Sequence, residues 1–235
     1  MKNVSIICPV YNEALSIEEL TIRIFDSVTR YVQSHEVELI LVDDGSKDAS
    51  VRIIQSLAKK YPFVRLVTHE QQRGQSYAIS SGLSVAQGSV IVTMDADLQI
   101  YPEDIPLLLT KINEGYDIVN AIRMKRCAPL IHKIFSRLLA IVVSCICGNS
   151  VKDPASNFIA IRKEFVSNLR LIANDHRYLL AILRKRGMRR FAEVPVRHSK
   201  RKYGTSKYPL LKGIKAIVEF IPFYHRLQSG YYNVT

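Results

Sequence analysis

Short apolar runs alternate with amphipathic segments through the first half of the chain. Five runs read as strands, at residues 4–9, 37–42, 64–68, 89–94 and 117–121. Four segments between them place apolar residues at helical spacing, at residues 16–33, 48–60, 74–86 and 102–113. Continuous apolar strands alternating with helices predict an α/β domain whose mainly parallel sheet is covered on both faces.

The second half follows a different pattern. Residues 128–147 predict a helix that is basic at its start and apolar from Leu138, and residues 165–171 and 179–186 also favour helix. Residues 191–196 predict an edge strand, 200–208 a basic loop and 210–224 an amphipathic helix. Because no repeat or low-complexity linker separates the halves, we expect one domain over residues 1–235.

Charge divides the chain at the same place. Of its 235 residues, 1–122 hold 16 acidic and 10 basic residues, a net charge of −6, and 123–235 hold 5 and 23, a net charge of +18. The longest stretch without a charge or histidine, residues 138–151, has 14 residues. A bilayer needs roughly 20 apolar residues, so no transmembrane helix is expected.

The amino terminus and the cysteines indicate a cytoplasmic protein. The chain runs from Met1 into a predicted strand and lacks the small-residue cleavage site of a signal peptide. Cys145 and Cys147 form a lone C-x-C with no second pair, which argues against a zinc site. All four cysteines are therefore expected to be reduced thiols, most of them buried.

Carboxylates follow three of the predicted strands. Glu13 comes after residues 4–9, Asp43 and Asp44 after 37–42, and Asp95 and Asp97 after 89–94. The carboxyl ends of parallel strands meet at one edge of a sheet, where ligands of such folds bind. One such acid is more often a turn or cap residue. Three groups at one edge repel each other, and this favours a bound cation or ribose hydroxyls.

The run Asp95-Ala96-Asp97 is the sharpest of these signals. Residues i and i+2 of an extended segment point to the same side, so both carboxylates can face one ion, and Gln99 adds a neutral oxygen. Oxygen ligands suit Mg²⁺ or Mn²⁺, which share their coordination shell with substrate phosphates.

Several motifs resemble a known family. They are Pro9-Val10-Tyr11-Asn12-Glu13, Val42-Asp43-Asp44-Gly45-Ser46, Gly74-x₃-Ala78-x₃-Gly82, Asp95-Ala96-Asp97-Leu98-Gln99, Gly115-Tyr116-Asp117-Ile118-Val119 and Arg201-x₂-Gly204-x-Ser206-Lys207-Tyr208. Together they resemble family 2 glycosyltransferases of the Rossmann-like GT-A fold. More narrowly, they are similar to dolichyl-phosphate mannosyltransferases and bacterial polyprenyl-phosphate glycosyltransferases.

The resemblance implies a reaction and a division of the chain. A sugar would pass from a nucleotide sugar, GDP-mannose or a UDP-hexose, to dolichyl or undecaprenyl phosphate, with inversion at the anomeric carbon. Residues 1–122 would form the nucleotide-sugar half and residues 123–235 the acceptor and membrane half.

The resemblance also implies site roles. Those proposed for the donor nucleotide sugar are Pro9, Tyr11, Glu13, Asp44, Asp95, Ala96 and Asp97. The metal, Mg²⁺ or Mn²⁺, would lie on Asp95, Asp97 and Gln99. Catalytic roles would fall to Asp97, Arg123, Arg201 and Lys207, the arginines and the lysine binding phosphate groups. Acceptor phosphate would be held by Arg137, Arg201 and Lys207.

Three positions depart from the pattern of the relatives. Ile100 stands where many carry His or Asp, Asn157 where many bacterial relatives carry an acid, and Ile159 where they carry Arg. These departures leave the acceptor contacts open, with Asp153 as a substitute for the acid.

Membrane contact is the remaining expectation for the basic half. Residues 184–215 carry 12 bases and one acid, Glu193, which favours anionic lipid as the partner. Residues 128–147 are either a buried core helix or an interfacial helix, and the resemblance favours the second. The protein is then peripheral on the cytoplasmic face, or it relies on a separate membrane subunit.

Three other functions are compatible with parts of the sequence. A family 2 enzyme building a surface polysaccharide would lack the motif at residues 201–208. A nucleic-acid-binding module would fit the charge, but no zinc knuckle, RNP-like motif or helix-turn-helix pattern accompanies it, so no nucleic acid is expected as a partner. An inactive binding subunit would not need Asp95, Asp97 and Gln99.

Overall fold

A computed structural model describes residues 3–33, 36–124, 130–148, 150–154, 156–199, 201–202 and 212–233. Side chains of residues 130–136, 139, 147 and 212–218 lie outside the description, as do Lys207, Cys127 and most of the basic loop predicted at 200–208.

One sheet runs through the described part of the chain. Its strands are β1 (Val4–Val10), β2 (Val37–Asp43), β3 (Val64–Thr68), β4 (Val90–Thr93), β5 (Ile118–Arg123), β6 (Ile159–Arg162) and β7 (Phe191–Val196). They lie in the order β3-β2-β1-β4-β6-β5-β7. All run parallel except β6, which pairs antiparallel with both β4 and β5. The mainly parallel sheet and the edge position of β7 confirm the prediction.

Helices connect and cover the strands. They are α1 (Ile17–Thr29), α2 (Ser50–Lys60), α3 (Gln75–Val85), α4 (Ile105–Asn113), α5 (Leu130–Cys147), α6 (Leu179–Lys185) and α7 (Lys212–Gln228). A 3₁₀ turn with Pro102 at its start leads into α4, because proline fixes φ for the first turn and needs no hydrogen-bond partner there.

Alternate strand residues build two apolar cores, one on each face of the sheet. In β1, Ile6 and Cys8 belong to the core that packs under α1, α2 and α4, whereas Ile7 belongs to the core under α3, α5, α6 and α7. Every residue of β2 is buried, as expected for a central strand covered on both faces. The apolar runs in the sequence therefore report burial on both sides of the sheet.

The sequence did not predict β6, and it predicted one helix wrongly. Residues 165–171 do not form a helix: a 3₁₀ turn over Lys163–Phe165 is followed by turns in which Asn168 has φ of 58°. A left-handed residue breaks the helical backbone, and asparagine tolerates it. Strand β6 has only four residues and gave too short a pattern to be recognised.

The direction of β6 matters for the site. Because it is antiparallel, its amino end lies at the edge where its parallel neighbours have their carboxyl ends: Ile159 pairs with Thr93 of β4 and Asn120 of β5. The segment before β6 thus reaches the edge that carries the acidic residues. No helix in the described residues is long and apolar enough to span a bilayer.

Candidate functional site

Hydrogen bonds join the loops that follow β1 and β2. Asn12, with φ of 54°, accepts a hydrogen bond from the Lys47 main-chain N–H at 2.7 Å, and its own N–H donates to Ser46 Oγ at 2.9 Å. The Glu13 N–H donates to Ser50 Oγ at 2.9 Å. Asparagine is one of the few residues that adopt positive φ readily, so the sequence fits this turn. Glu13 is thereby fixed beside the end of β2.

Asp43 and Asp44 have different environments. Asp43 Oδ2 accepts N–H groups of Gly45 and Ser46, which forms a tight turn, and its buried Oδ1 has no hydrogen-bond partner in the described residues. Gly45 has φ of 74°, and a Cβ there would lie 2.7 Å from the main chain of Gln71. Only glycine therefore fits the turn.

Asp44 binds the loop after β3. Its Oδ1 accepts hydrogen bonds from the Arg73 main-chain N–H at 2.9 Å and from His69 Nδ1 at 2.8 Å, and its Oδ2 accepts one from the Gly74 N–H at 2.8 Å. Gly74 directly precedes α3, so this carboxylate also binds an N–H at the start of that helix.

Asp95 is half-buried and lies between two amide side chains. Gln75 Nε2 donates to its Oδ1 at 2.7 Å, and Asn157 Nδ2 lies 3.3 Å from the same atom. Burial, and secondly the charge of Asp97, raise the pKa of Asp95 to about 6. Negative charge is therefore concentrated at the end of β4.

Asp97 meets an arginine from the far end of the chain. Arg201 lies 3.0 Å from Asp97 Oδ2 and 3.1 Å from Glu13 Oε1, and all three side chains are largely buried. One guanidinium thus joins the segments that follow β1, β4 and β7. The arrangement brings together three residues that the sequence placed at the site.

The segment 95–99 does not stay extended. Leu98 has φ of 58°, Asp97 Oδ1 accepts the Gln99 main-chain N–H at 3.1 Å, and Gln99 Nε2 lies 3.4 Å from the Ser199 carbonyl oxygen. The expectation of an extended run was wrong at Leu98. In this structure the Gln99 side chain contacts the segment after β7, and its role as a metal ligand stays a prediction.

Further contacts hold the segment after β7 against the strand-end residues. Arg197 donates to Asp104 Oδ1 through Nε at 2.9 Å and Nη2 at 2.6 Å, and the Ser199 N–H donates to the Gln99 carbonyl at 2.8 Å. Lys202 Nζ lies 2.7 Å from Glu19. Arg201 therefore lies within a segment that is bound on both sides of it.

Arg123, at the end of β5, forms a two-pronged ion pair with Asp153. Nε and Nη2 each lie 2.7 Å from one carboxylate oxygen, and only 12% and 8% of the two side chains is exposed. Burial alone would lower the pKa of Arg123, but the hydrogen bond and charge of Asp153 raise it. Asp153 is therefore bound as a carboxylate to a guanidinium.

The other predicted residues lie as follows. Pro9 and Tyr11 are half-buried at the end of β1, and Ala96 is buried, with its carbonyl accepting from Ser16 Oγ at 2.8 Å. Arg137 is exposed on α5, and Lys207 lies outside the described residues.

Sequence reasoning missed three residues at this edge. His69 and Gln75 contact Asp44 and Asp95, and Asn157 was noted only for its departure from relatives. The position of His69 directly after a strand was the available signal, and the same strand-end rule had selected the acids.

The donor set at this edge suits a hard cation. Asp95 and Asp97 offer carboxylate oxygens, but no group of three His, Cys, Asp or Glu side chains suited to a metal occurs in the described part of the chain. Two carboxylates fit an ion that completes its shell with substrate phosphates.

A family model identifies the family to which the chain belongs. The model described as glycosyl transferase family 2 matches residues 5–170. The chain belongs to glycosyl transferase family 2. It is therefore a glycosyltransferase, and the family predicted from its motifs is confirmed.

Curated family 2 relatives cover most of the chain. An undecaprenyl-phosphate 4-deoxy-4-formamido-L-arabinose transferase of Yersinia enterocolitica is 35% identical over 222 residues, 94% of this chain and 67% of the relative. A transferase of the same name from Pseudomonas fluorescens is 33% identical over 220 residues, 93% of this chain and 64% of the relative. The chain thus spans about two thirds of these relatives.

Solved structures show the same fold. Glucosyl-3-phosphoglycerate synthase from Mycobacterium tuberculosis, in complex with Mn²⁺ and UDP-glucose, matches with a TM-score of 0.71 at 22% identity, covering 94% of this chain and 78% of that one. The same enzyme in complex with Mg²⁺ and UDP matches with a TM-score of 0.69. These matches confirm the predicted GT-A fold.

Proposed function

We propose that this glycosyltransferase moves a sugar from a nucleotide sugar to a polyprenyl phosphate, with inversion at the anomeric carbon. The observation that carries the proposal is the meeting of Asp97, Glu13 and Arg201 at the carboxyl edge of the sheet. Acids that suit a metal and an arginine that suits phosphate lie together there. Support also comes from the curated relatives, which are named for undecaprenyl phosphate.

The donor nucleotide sugar lies against the strand ends of the first half. Pro9, Tyr11, Glu13 and Asp44 hold the nucleoside. Ala96 lies beside the diphosphate between Asp95 and Asp97. This assignment supports dividing one domain into a donor half, residues 1–122, and an acceptor half, residues 123–235.

Asp95 and Asp97 hold a divalent metal, Mg²⁺ or Mn²⁺, with an oxygen of Gln99 as a further ligand. The fit rests on the two carboxylates at the end of β4, of which Asp95 is half-buried and Asp97 is buried and pairs with a cation, Arg201. When bound, the metal neutralises the departing nucleoside diphosphate.

The remaining groups orient the acceptor phosphate. Arg201 and Arg123 bind phosphate oxygens through their forked N–H groups, and Lys207 adds a charge. An oxygen of the acceptor phosphate forms a bond to the anomeric carbon as the bond from that carbon to the diphosphate oxygen breaks. Since this oxygen is already anionic at neutral pH, the step needs no strong base, which agrees with Asp153 being paired to Arg123.

The second half contacts the cytoplasmic face of a membrane. Leu138 and Ile141 on α5 are 48% and 60% exposed, Ile221 and Tyr224 on α7 are 61% and 43% exposed, and α5 contacts α7. Exposed apolar side chains beside Arg137 match an interface of acyl chains and anionic headgroups. In this proposal Arg137, which is exposed on α5, binds the acceptor phosphate.

The reaction is tested with the purified chain, polyprenyl phosphate in detergent, Mg²⁺ or Mn²⁺ and a panel of nucleotide sugars, scored by release of nucleoside diphosphate. One donor should release it only when the lipid phosphate is present. Asp97→Ala should abolish transfer, whereas Asp26→Asn, an exposed acid on α1, should not change it. Transfer to an oligosaccharide acceptor in place of the lipid, or full turnover by Asp97→Ala, would contradict the proposal.

Membrane contact is tested by sedimentation with vesicles of anionic and zwitterionic lipids. Replacing Leu138 and Ile141 together by serine should reduce binding, and Leu107→Ser, which changes an equally exposed leucine on α4, should not. If the unmodified chain does not sediment with anionic vesicles, the proposal that this half contacts the membrane directly is contradicted.

A further inference from the structure

A histidine outside the predicted site links Asp44 to α3. His69 Nδ1 lies 2.8 Å from Asp44 Oδ1, and its Nε2 lies 2.9 Å from Ser81 Oγ. The His69 and Asp44 side chains are each only 6% exposed. Both nitrogens of the ring therefore have partners in a nearly closed environment.

The partners define which nitrogen carries the proton. Asp44 accepts main-chain N–H groups on both carboxylate oxygens, from Arg73 and Gly74, so it acts as an acceptor. His69 Nδ1 must then carry a hydrogen and donate it to Asp44. In the neutral ring Nε2 is an acceptor, and the Ser81 hydroxyl donates to it. The hydrogen bond from Nδ1 to Asp44 is thus the same in the neutral and the doubly protonated ring, and Ser81 contacts the opposite nitrogen in both.

Main-chain hydrogen bonds hold the histidine and the acid in register. The His69 N–H donates to the Asp43 carbonyl at 2.9 Å, and the Asp44 N–H donates to the Val10 carbonyl at 2.8 Å. The ends of β1, β2 and β3 are fixed to one another in this way. Little freedom remains for the two side chains to change partners.

Counting acceptor positions leaves one for a ligand. A carboxylate has about four lone-pair sites. His69 and Arg73 occupy two on Oδ1, and Gly74 occupies one on Oδ2. No other donor from the described residues bonds to Oδ2, so the remaining site can accept a hydrogen bond from the bound nucleoside, and its direction depends on how the carboxylate is held.

We propose that His69, oriented by Ser81, is a positioning residue that fixes the Asp44 carboxylate for the nucleoside of the donor. The inference rests on the proposed function, in which Asp44 holds that nucleoside. His69 itself does not touch the substrate. It sets the affinity for the nucleotide, and the rate at saturating donor stays unchanged.

Three substitutions at His69 separate positioning from packing. In His69→Asn the amide nitrogen replaces Nδ1 and can still donate to Asp44. In His69→Gln the longer side chain replaces Nε2 and points its amide toward Ser81. His69→Leu has no donor. Binding of UDP and GDP is measured by titration calorimetry with Mg²⁺, and folding by thermal denaturation.

The expected pattern is a specific rescue. His69→Leu and His69→Gln should lower the affinity for the nucleotide that the unmodified chain binds by about tenfold, because one hydrogen bond to a charged group is lost. His69→Asn should lower it by about threefold or less. KM for the donor should rise by the same factors at constant kcat. Ser84→Ala, an exposed serine on α3, is the control and should bind normally.

A double substitution tests whether His69 acts through Asp44. In the Asp44→Asn background, His69→Leu should change nucleotide affinity by less than about twofold, because coupled residues are not additive. The inference is overturned if His69→Leu binds nucleotide normally, or if the Asn, Gln and Leu variants all lose affinity and melting temperature in parallel. If the unmodified chain binds neither nucleotide, the proposed function fails together with the inference.

Discussion

The two sides of the site are held by different kinds of contact. On the donor side, Asn12 and Asp44 bind main-chain N–H groups of neighbouring loops, and Asp43 binds those of its own turn. On the acceptor side, Arg123 and Arg201 bind carboxylates. A bond to a main-chain N–H has no ready substitute, but a guanidinium can exchange a carboxylate for a phosphate, because two oxygens of either group accept its parallel N–H groups. The donor side is thus preformed, and the acceptor side holds its arginines on carboxylates that substrate phosphates can replace.

The largest expected effect comes from breaking the buried ion pair of Arg123 and Asp153. Asp153→Ala should lower the free energy of unfolding by about 3–5 kcal/mol, because the buried Arg123 guanidinium would lose the carboxylate that it binds through two N–H groups. Chemical denaturation measures the change. Glu114→Gln removes an exposed pair with Lys111 and should change stability by less than about 1 kcal/mol. An equal effect of both substitutions would refute the contrast between buried and exposed pairs.

The next effect concerns the arginine that joins three segments. Arg201→Ala should reduce kcat/KM about a hundredfold, the usual loss when a preorganised donor to the reacting phosphates is removed. The kcat/KM of Arg201→Lys should lie between those of the unmodified chain and Arg201→Ala, because lysine keeps the charge but lacks the forked N–H groups. Steady-state kinetics with lipid acceptor measures both.

The same substitution should also change the response to metal. Without Arg201, Glu13 and Asp97 lose a shared positive partner, so Arg201→Ala should melt at lower temperature, and Mn²⁺ should raise its melting temperature more than that of the unmodified chain. Lys202→Ala, which removes a half-exposed pair with Glu19, is the control. If Mn²⁺ raises the melting temperatures of Arg201→Ala and the unmodified chain equally, Arg201 is not the counterion of these carboxylates.

A smaller effect tests the donor side. Asn12→Gly keeps the positive φ but loses the hydrogen bond to the Lys47 N–H, which should raise the donor KM about fivefold, or about 1 kcal/mol. Asn12→Ala adds backbone strain of about 1–2 kcal/mol. The melting temperature should therefore fall further for Ala than for Gly. The reverse order would show that the loop is not held in this conformation.

The smallest change is a difference in labelling between two cysteines. Cys8 is fully buried in β1, and burial raises the pKa of its thiol well above the ordinary value, whereas Cys145 is exposed on α5. A thiol reagent at pH 8 should modify Cys145 first and Cys8 only on unfolding, as peptide mass spectrometry would show. Rapid labelling of Cys8 in the folded protein would contradict the close packing of the core under α1, α2 and α4.

Local patterns were enough to predict most of the fold and the acidic half of the site. The buried strand β2 and the helix α2 follow directly from apolar spacing, and the strand-end rule selected Glu13, Asp44 and Asp97. Residues contributed by distant parts of the chain were harder. Asn157 reaches Asp95 only because β6 runs antiparallel, a fact of pairing that four residues do not encode locally.

The sequence also did not predict which carboxylates pair with the arginines. The sequence selected Arg123 and Arg201 as phosphate ligands, but their carboxylate partners, Asp153 and Asp97, depend on tertiary contacts. The left-handed turn at Leu98, which sends Gln99 toward Ser199, also follows from packing and not from local propensity, because leucine rarely adopts positive φ.

The reversed strand β6 also has a consequence for the order of folding. Strand β5 pairs with β6 and β7 and with no other strand in the described residues, so it joins the sheet only through β6. As the chain is synthesised from its amino terminus, the four strands β1, β2, β3 and β4 can pair early. Strand β5 can join the sheet only after β6, which ends at Arg162, has been made. Such long-range closure is slow because loop entropy is lost before contacts form. Arg123 and Asn157 therefore reach the site through the same pairing of β5 with β6, and Arg201 can follow only when β7 pairs with β5.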